Sequence, residues 1–180
     1  MKSKAYLLYL IFLLAHNSLF SQSPAPINIQ AQTSVLSKIK FENPLTAQAG
    51  FFEILLNNQP LPDSINFTLY KEIAVCYGMM HRPDSAIYFL KKALLLGPQK
   101  SNPVLLKKML ANFYSMNKNY SSADSCFKKA LSLCQELKSD ASIKVSVLGD
   151  YATHFYNQNN YLKALQLLTE AITLNKSEKK

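Results

Sequence analysis

The sequence predicts an all-α solenoid of helical hairpins, three clear copies preceded by a degenerate one. Three observations point to it. Alanine pairs seven residues apart, Ala86/Ala93, Ala123/Ala130 and Ala164/Ala171, recur at intervals of 37 and 41 residues. Seven residues is two helical turns, so each pair lies on one face, where only a side chain as small as Ala lets a neighbouring helix come close. Between the apolar stretches stand helix-stopping and helix-starting residues, His-Arg-Pro-Asp at 81–84 and Gly97-Pro98 among them. Self-similarity at a period of several tens of residues marks an array whose units cannot bury their apolar faces alone.

Residues 1–21 stand apart from that pattern. Lys2 and Lys4 precede the apolar run AYLLYLIFLLA, and a polar, small-residue stretch follows, which is the order of a secretory signal. A membrane anchor is the competing reading, but a spanning helix needs ~20 apolar residues and this run is interrupted at His16 and Asn17. Contact with the membrane is therefore expected only in transit, and residues 22–30 are expected to be a linker. No Cys lies near the cut, which argues against lipid attachment there.

Residues 31–62 are expected to form a degenerate repeat or a pair of capping helices. Asn43 is suited to cap a helix with Pro44 in its first position, and Ala47, Phe51, Ile54 and Leu55 form its apolar stripe. The segment TSVLSKIKF is its weak partner. Three repeats should then fill 63–178, at about 67–100, 104–137 and 145–178. Asp63 or Ser64 is expected to cap the first. Its opening helix presents Tyr70, Ile73, Ala74 and Tyr77 at spacings of three and four, and Ala86, Leu90 and Ala93 form the facing stripe. Pro83 tolerates a helix's first turn and Asp84 suits the positive end of its dipole. The second repeat offers Leu110, Ala111 and Tyr114, then Ala123, Phe127 and Ala130; Asn102-Pro103 starts it. The third offers Tyr151, Ala152 and Phe155, then Ala164, Leu168 and Ala171. The chain ends shortly afterwards in NKSEKK, without a further helix to cover the last apolar face. A partner or a second copy of the chain is expected there, unless the chain is a shortened relative of something longer.

These residues resemble the tetratricopeptide repeat family. The stretch Phe67 to Lys100 fits its 34-residue pattern closely, with Tyr70 at the usual Trp place and Pro98 as the closing Pro. The later copies depart from it: Gln135 and Lys176 replace the closing Pro, and Lys107 and Leu148 the first aromatic. The resemblance implies a concave groove lined by the first helix of each repeat. Carried over position by position, it implies a partner-binding row of Lys71, Val75 and Met79, then Lys108, Asn112 and Met116, then Thr153, Tyr156 and Asn157. Such a row suits an extended peptide or a helix. The family's grip on a terminal carboxylate is not implied: Lys108 and Asn112 keep one of its spacings, but Val75 replaces an Asn and Asp150 stands where a cation is needed.

Composition limits the alternatives. Formal charge is +9, or +7 without Lys2 and Lys4, and the lysine pairs Lys91-Lys92, Lys107-Lys108 and Lys128-Lys129 read as solvated helix faces rather than a nucleic-acid surface. Four glycines leave no phosphate-cradling loop. His81 should close a turn and His154 should lie at a helix surface, with no ligand set around either, so no metal, cofactor or catalytic residue is expected and the chain is read as non-enzymatic. Cys126 and Cys134, eight apart on one helix, are too distant for a disulfide, and all three cysteines read as small buried hydrophobes. The expected function is an exported scaffold for a protein or peptide segment, in the periplasm or at the surface of a Gram-negative cell. The alternative is the sensory input module of a signalling protein, with a kinase or DNA-binding output, present here in truncated form.

Overall fold

In the computed structural model the described residues are 28–97 and 102–177. The chain divides into two units, Met1–Gln32 and Thr33–Lys180. Of the first, only the start of one helix is described, where the Asn28 carboxamide accepts a hydrogen bond from the Ala31 N–H at 3.0 Å. The signal at 1–21, most of the linker and the Pro98 stop lie outside the described residues.

Among the described residues there are eight helices and no strand. They are α1 (Ile29–Ile39), α2 (Pro44–Asn57), α3 (Asp63–Met79), α4 (Pro83–Leu95), α5 (Pro103–Met116), α6 (Tyr120–Glu136), α7 (Ala141–Tyr156) and α8 (Tyr161–Ser177). The predicted all-α hairpin array is what the chain forms. Ile29 and Gln30 are helical, so α1 begins inside the stretch expected to be linker.

Polar side chains start several of the helices. Asn43 accepts from the Thr46 N–H at 3.0 Å, Asn102 from Val104 at 2.9 Å and Asn119 from Ser122 at 3.2 Å, and proline occupies the first turn of α2, α4 and α5. Asp63 and Ser64 do not cap α3. Pro62 holds that position and no side chain caps it, because Asp63 is already inside the first turn, where its charge suits the dipole.

Within each hairpin the two helices pack along the alanine stripes: α3 with α4, α5 with α6, α7 with α8. Each second helix then packs against the first helix of the next hairpin, and α5 also packs directly on α7. Two clusters of buried side chains result. One joins Phe67, Ala74, Ala86, Leu90 and Ala93 to Leu106, Leu110 and Phe113. The other joins Ala111, Ala123, Phe127 and Ala130 to Leu148, Tyr151, Ala152, Ala164 and Ala171. Tyr114 and Cys126 border both, so the two cores are continuous through the second hairpin. Tyr70 and Tyr77 are only half-buried, their rings packed on Phe89 of α4. Leu168 departs from the expectation that it packs inside: it is 44% exposed, because no helix among the described residues follows α8 to cover it.

The three cysteines are unpaired; Cys76 and Cys134 are buried and Cys126 is partly so. Burial pushes the Cys76 thiol up to about 11, so it stays protonated and unreactive near neutrality. Lys91 lies over the Tyr114 ring and Lys92 over Tyr88 and Tyr70, so this pair covers aromatic surface as well as facing water.

Candidate functional site

The nine residues expected to bind a partner lie on α3, α5 and α7 or, for Asn157, directly after α7. Met79, Met116, Thr153, Tyr156 and Asn157 are exposed. Lys71, Val75, Lys108 and Asn112 are partly buried. Only Lys108 and Asn112 are drawn together by a shared partner, Asp150 of α7.

That junction is the most organised polar feature of the face. The Lys108 ammonium donates to the Ser146 hydroxyl at 2.7 Å and lies 3.2 Å from an Asp150 carboxylate oxygen, Oδ2. The same oxygen accepts from the Asn112 carboxamide at 2.8 Å. Residues 38 apart in sequence thus join neighbouring first helices. Asp150, expected from the sequence only to repel a carboxylate, neutralises the cation that such a grip would use. On α3, Lys71 lies 3.4 Å from Glu72, and Glu72 forms a buried ion pair with Lys40 of the turn between α1 and α2. Gly149, one residue before Asp150, is in the interior of α7, and a Cβ added there would meet open space.

A second polar centre was not foreseen. His154 is 2% exposed rather than on a helix surface. Its Nδ1 is 2.9 Å from the Ser115 hydroxyl and its Nε2 is 2.8 Å from the Gln158 carboxamide nitrogen. An amide nitrogen can only donate, so Nε2 accepts and the proton sits on Nδ1, donated to Ser115. The rings of Tyr120, Phe127, Tyr151 and Phe155 surround it. Burial lowers its pKa, with the Asp124 charge opposing, and the imidazole is held neutral. The Tyr151 hydroxyl donates to Asp124, which Lys128 also pairs at 2.6 Å. Burial works against ionisation of Asp124, but these two partners outweigh it and its pKa is lowered. Burial, then the Asp124 carboxylate, raises the Tyr151 pKa. The signal for a buried His154 was its place seven residues after Val147, on the same apolar stripe of α7.

Among the described residues no group of three or more His, Cys, Asp or Glu comes together as a metal site, and no helix is long and apolar enough to cross a membrane. The exposed members of the row are two methionines, a tyrosine, a threonine and an amide, and Lys108 and Asn112 are held in a self-neutralised polar junction with Asp150.

A family model described as tetratricopeptide repeat matches residues 104–177. No curated protein matches the chain. Solved structures with this fold include nearly identical TPR-like repeats of a Podosopora anserina protein described as a kinesin light chain, at TM-score 0.74 and 13% identity, covering 99% of this chain and 89% of that one. BtubC from P. vanneervenii aligns at TM-score 0.69 and 21% identity over 84% of this chain, which spans 65% of the length of BtubC. MamA aligns at TM-score 0.60 and 11% identity over 84% of this chain and 81% of its own. These likenesses establish the fold, a helical-hairpin array of the tetratricopeptide type, and residues 104–177 are similar to the tetratricopeptide repeat family.

Proposed function

We propose that the chain is an exported, non-catalytic scaffold that holds a segment of another protein against the faces of α3, α5 and α7. The tetratricopeptide fold is consistent with a scaffold for protein partners, and such proteins are typically non-catalytic. The observation that carries the reading is the exposure of Met79, Met116 and Tyr156 at the C-terminal ends of the three first helices. Large adaptable apolar side chains in that repeated place suit side chains of an extended polypeptide, while Thr153 and Asn157 can bond its backbone. The Lys108–Asp150 pair leaves the centre of the face without a free cation, so an uncharged segment fits better than an acidic one. Export to the periplasm or cell surface rests on the charge and apolar pattern of residues 1–21.

A random peptide display library panned against the chain tests this. Enriched peptides should bind the wild type and lose about tenfold in affinity with Met116→Asp or Tyr156→Ala, and lose nothing with Lys129→Ala on a second helix. Binding indifferent to both groove changes would remove the reading. The second reading, an input module of a signalling protein, draws on the exposed apolar face of α8, which a following helix in a longer chain would cover. N-terminal sequencing of the protein recovered from a fractionated cell tests export: a start at Gln22 in the exported fraction supports it, and an intact Met1 in the cytosol opposes it.

A further inference from the structure

We propose that α8 is the surface on which two copies of this chain pair, antiparallel, about a two-fold axis between Gln166 and Leu167. The helix carries two apolar faces. Ala164, Leu167 and Ala171 are buried in the hairpin core. Tyr161, Leu165, Leu168 and Ile172 form the other face and are 56%, 62%, 44% and 54% exposed, with Leu162 beside them at 79%. Tyr161 at its start packs on Tyr156 and donates to Asn159; Leu165, Leu168 and Ile172 are left largely to solvent among the described residues. At the matching place in the preceding hairpin, 41 residues earlier, Phe127 is fully buried and stacked on Tyr151 of the next first helix, with ring centroids 4.8 Å apart. Leu168 holds that place with nothing over it among the described residues.

The spacing of the exposed face suits a second copy. Steps of four, three and four residues read the same in both directions along a helix. Antiparallel pairing sets Tyr161 against Ile172 of the second copy and Leu165 against its Leu168, so each of these four side chains meets another, with Leu162 at the rim. Charge does not interfere. At 100° per residue Lys163 and Glu170 point about half a turn away from the stripe, and Glu170 is 3.1 Å from Lys144 of α7. Lys176, beyond Ile172, would fall past Tyr161 of the second copy, beside its amide-rich turn Asn157–Asn160. With no charge on the stripe, nothing in it selects a partner of opposite sign, and antiparallel helix dipoles favour the arrangement. Five large side chains on each copy expose at most roughly 1,100 Å² for two copies to cover, just under the usual range of stable specific interfaces. The Tyr156 ring, 5.4 Å from Tyr161, extends the patch onto the end of α7.

Light scattering on the full chain from about 1 to 100 µM, the weak end of the range that interfaces cover, is the test, with circular dichroism melts reporting folding independently. The expected result is a mass that doubles with concentration, a cooperative melt matching that of the dilute wild type for Leu165→Lys and for Leu168→Glu, and a monomer for each. Combining Leu165→Lys with Leu168→Glu should restore the dimer, because antiparallel pairing sets each Lys against a Glu of the other copy. A monomer throughout overturns the proposal, as does a dimer indifferent to Leu165→Lys. Mass that grows without limit means head-to-tail association and also overturns it. A dimer lost in both single variants and not restored in the double overturns the antiparallel register.

Discussion

The turn after each first helix of the three hairpins is closed by a residue with left-handed backbone: His81 at φ 55°, Lys118 at 57° and Asn159 at 60°. They recur at the spacings of the alanines, and in each the N–H of the next residue reaches back to the helix: Arg82 to Tyr77, Asn119 to Tyr114 and Asn160 to Phe155, each at 2.9 Å. Glycine adopts this conformation freely, and none of the three is glycine. Lys118→Gly should therefore stabilise the fold by about 0.5–1 kcal/mol, seen as a rise in melting temperature; a fall would mean that the Lys118 side chain contributes more than its backbone costs. At His154 the sign is opposite to that of a histidine with a charged partner. Its folded pKa is below 6.5, so stability from the neutral ring is complete above pH 6.5 and declines as pH falls through that value, where the unfolded chain takes up the proton and the folded chain resists. Melts between about pH 7.5 and 5.5 should show this decline in the wild type and a smaller one in His154→Gln. Equal slopes would remove His154 as the cause.

Close approach decides how elements join. A Cβ added at Gly78 of α3 would come within 2.4 Å of the Phe113 ring of α5, whose side chain is itself buried. Gly78→Ala should cost about 1–3 kcal/mol, read from the denaturant midpoint, because the ring has to move and the two hairpins with it. An unchanged midpoint would show that the junction yields freely. Small residues at such contacts are what made the hairpins legible: Ala86 and Ala93 announce a tight crossing by their size and spacing alone. The caps Asn43 and Asn102 were readable for a similar reason, since their chemistry acts within three residues. The polar junctions were not. Lys108 and Asp150, or Ser115 and His154, are 42 and 39 positions apart, and no local pattern distinguishes a lysine that faces water from one aimed at the next repeat. The repeat register sets Lys108 and Asn112 four apart on α5. That Asp150 occupies them depends on how neighbouring hairpins stack, which the register leaves open.

At the scale of the array, stability is a chain of nearest-neighbour contacts. The second hairpin has neighbours on both sides, and its α5 and α6 enter buried clusters with residues before and after them. Among the described residues helix α8 packs chiefly on α7 and shows a large apolar face to solvent. Amide hydrogen exchange should accordingly be slower in α5 and α6 than in α8 when the chain is dilute. Protection of α8 should rise at concentrations where copies pair. If α8 were as protected as α6 in the dilute chain, stability would not follow the order of contacts.

The carboxylate that receives the Tyr151 hydroxyl also has an optical consequence. The chain holds ten tyrosines and no tryptophan, so tyrosine emission is not masked. A phenol becomes a far stronger acid on excitation, and Asp124 is positioned to take its proton, a route that quenches its normal emission. Separation of α6 from α7 removes the acceptor, and this quenching route is lost with it. The junction of the last two hairpins therefore carries its own unfolding signal, readable without any added label.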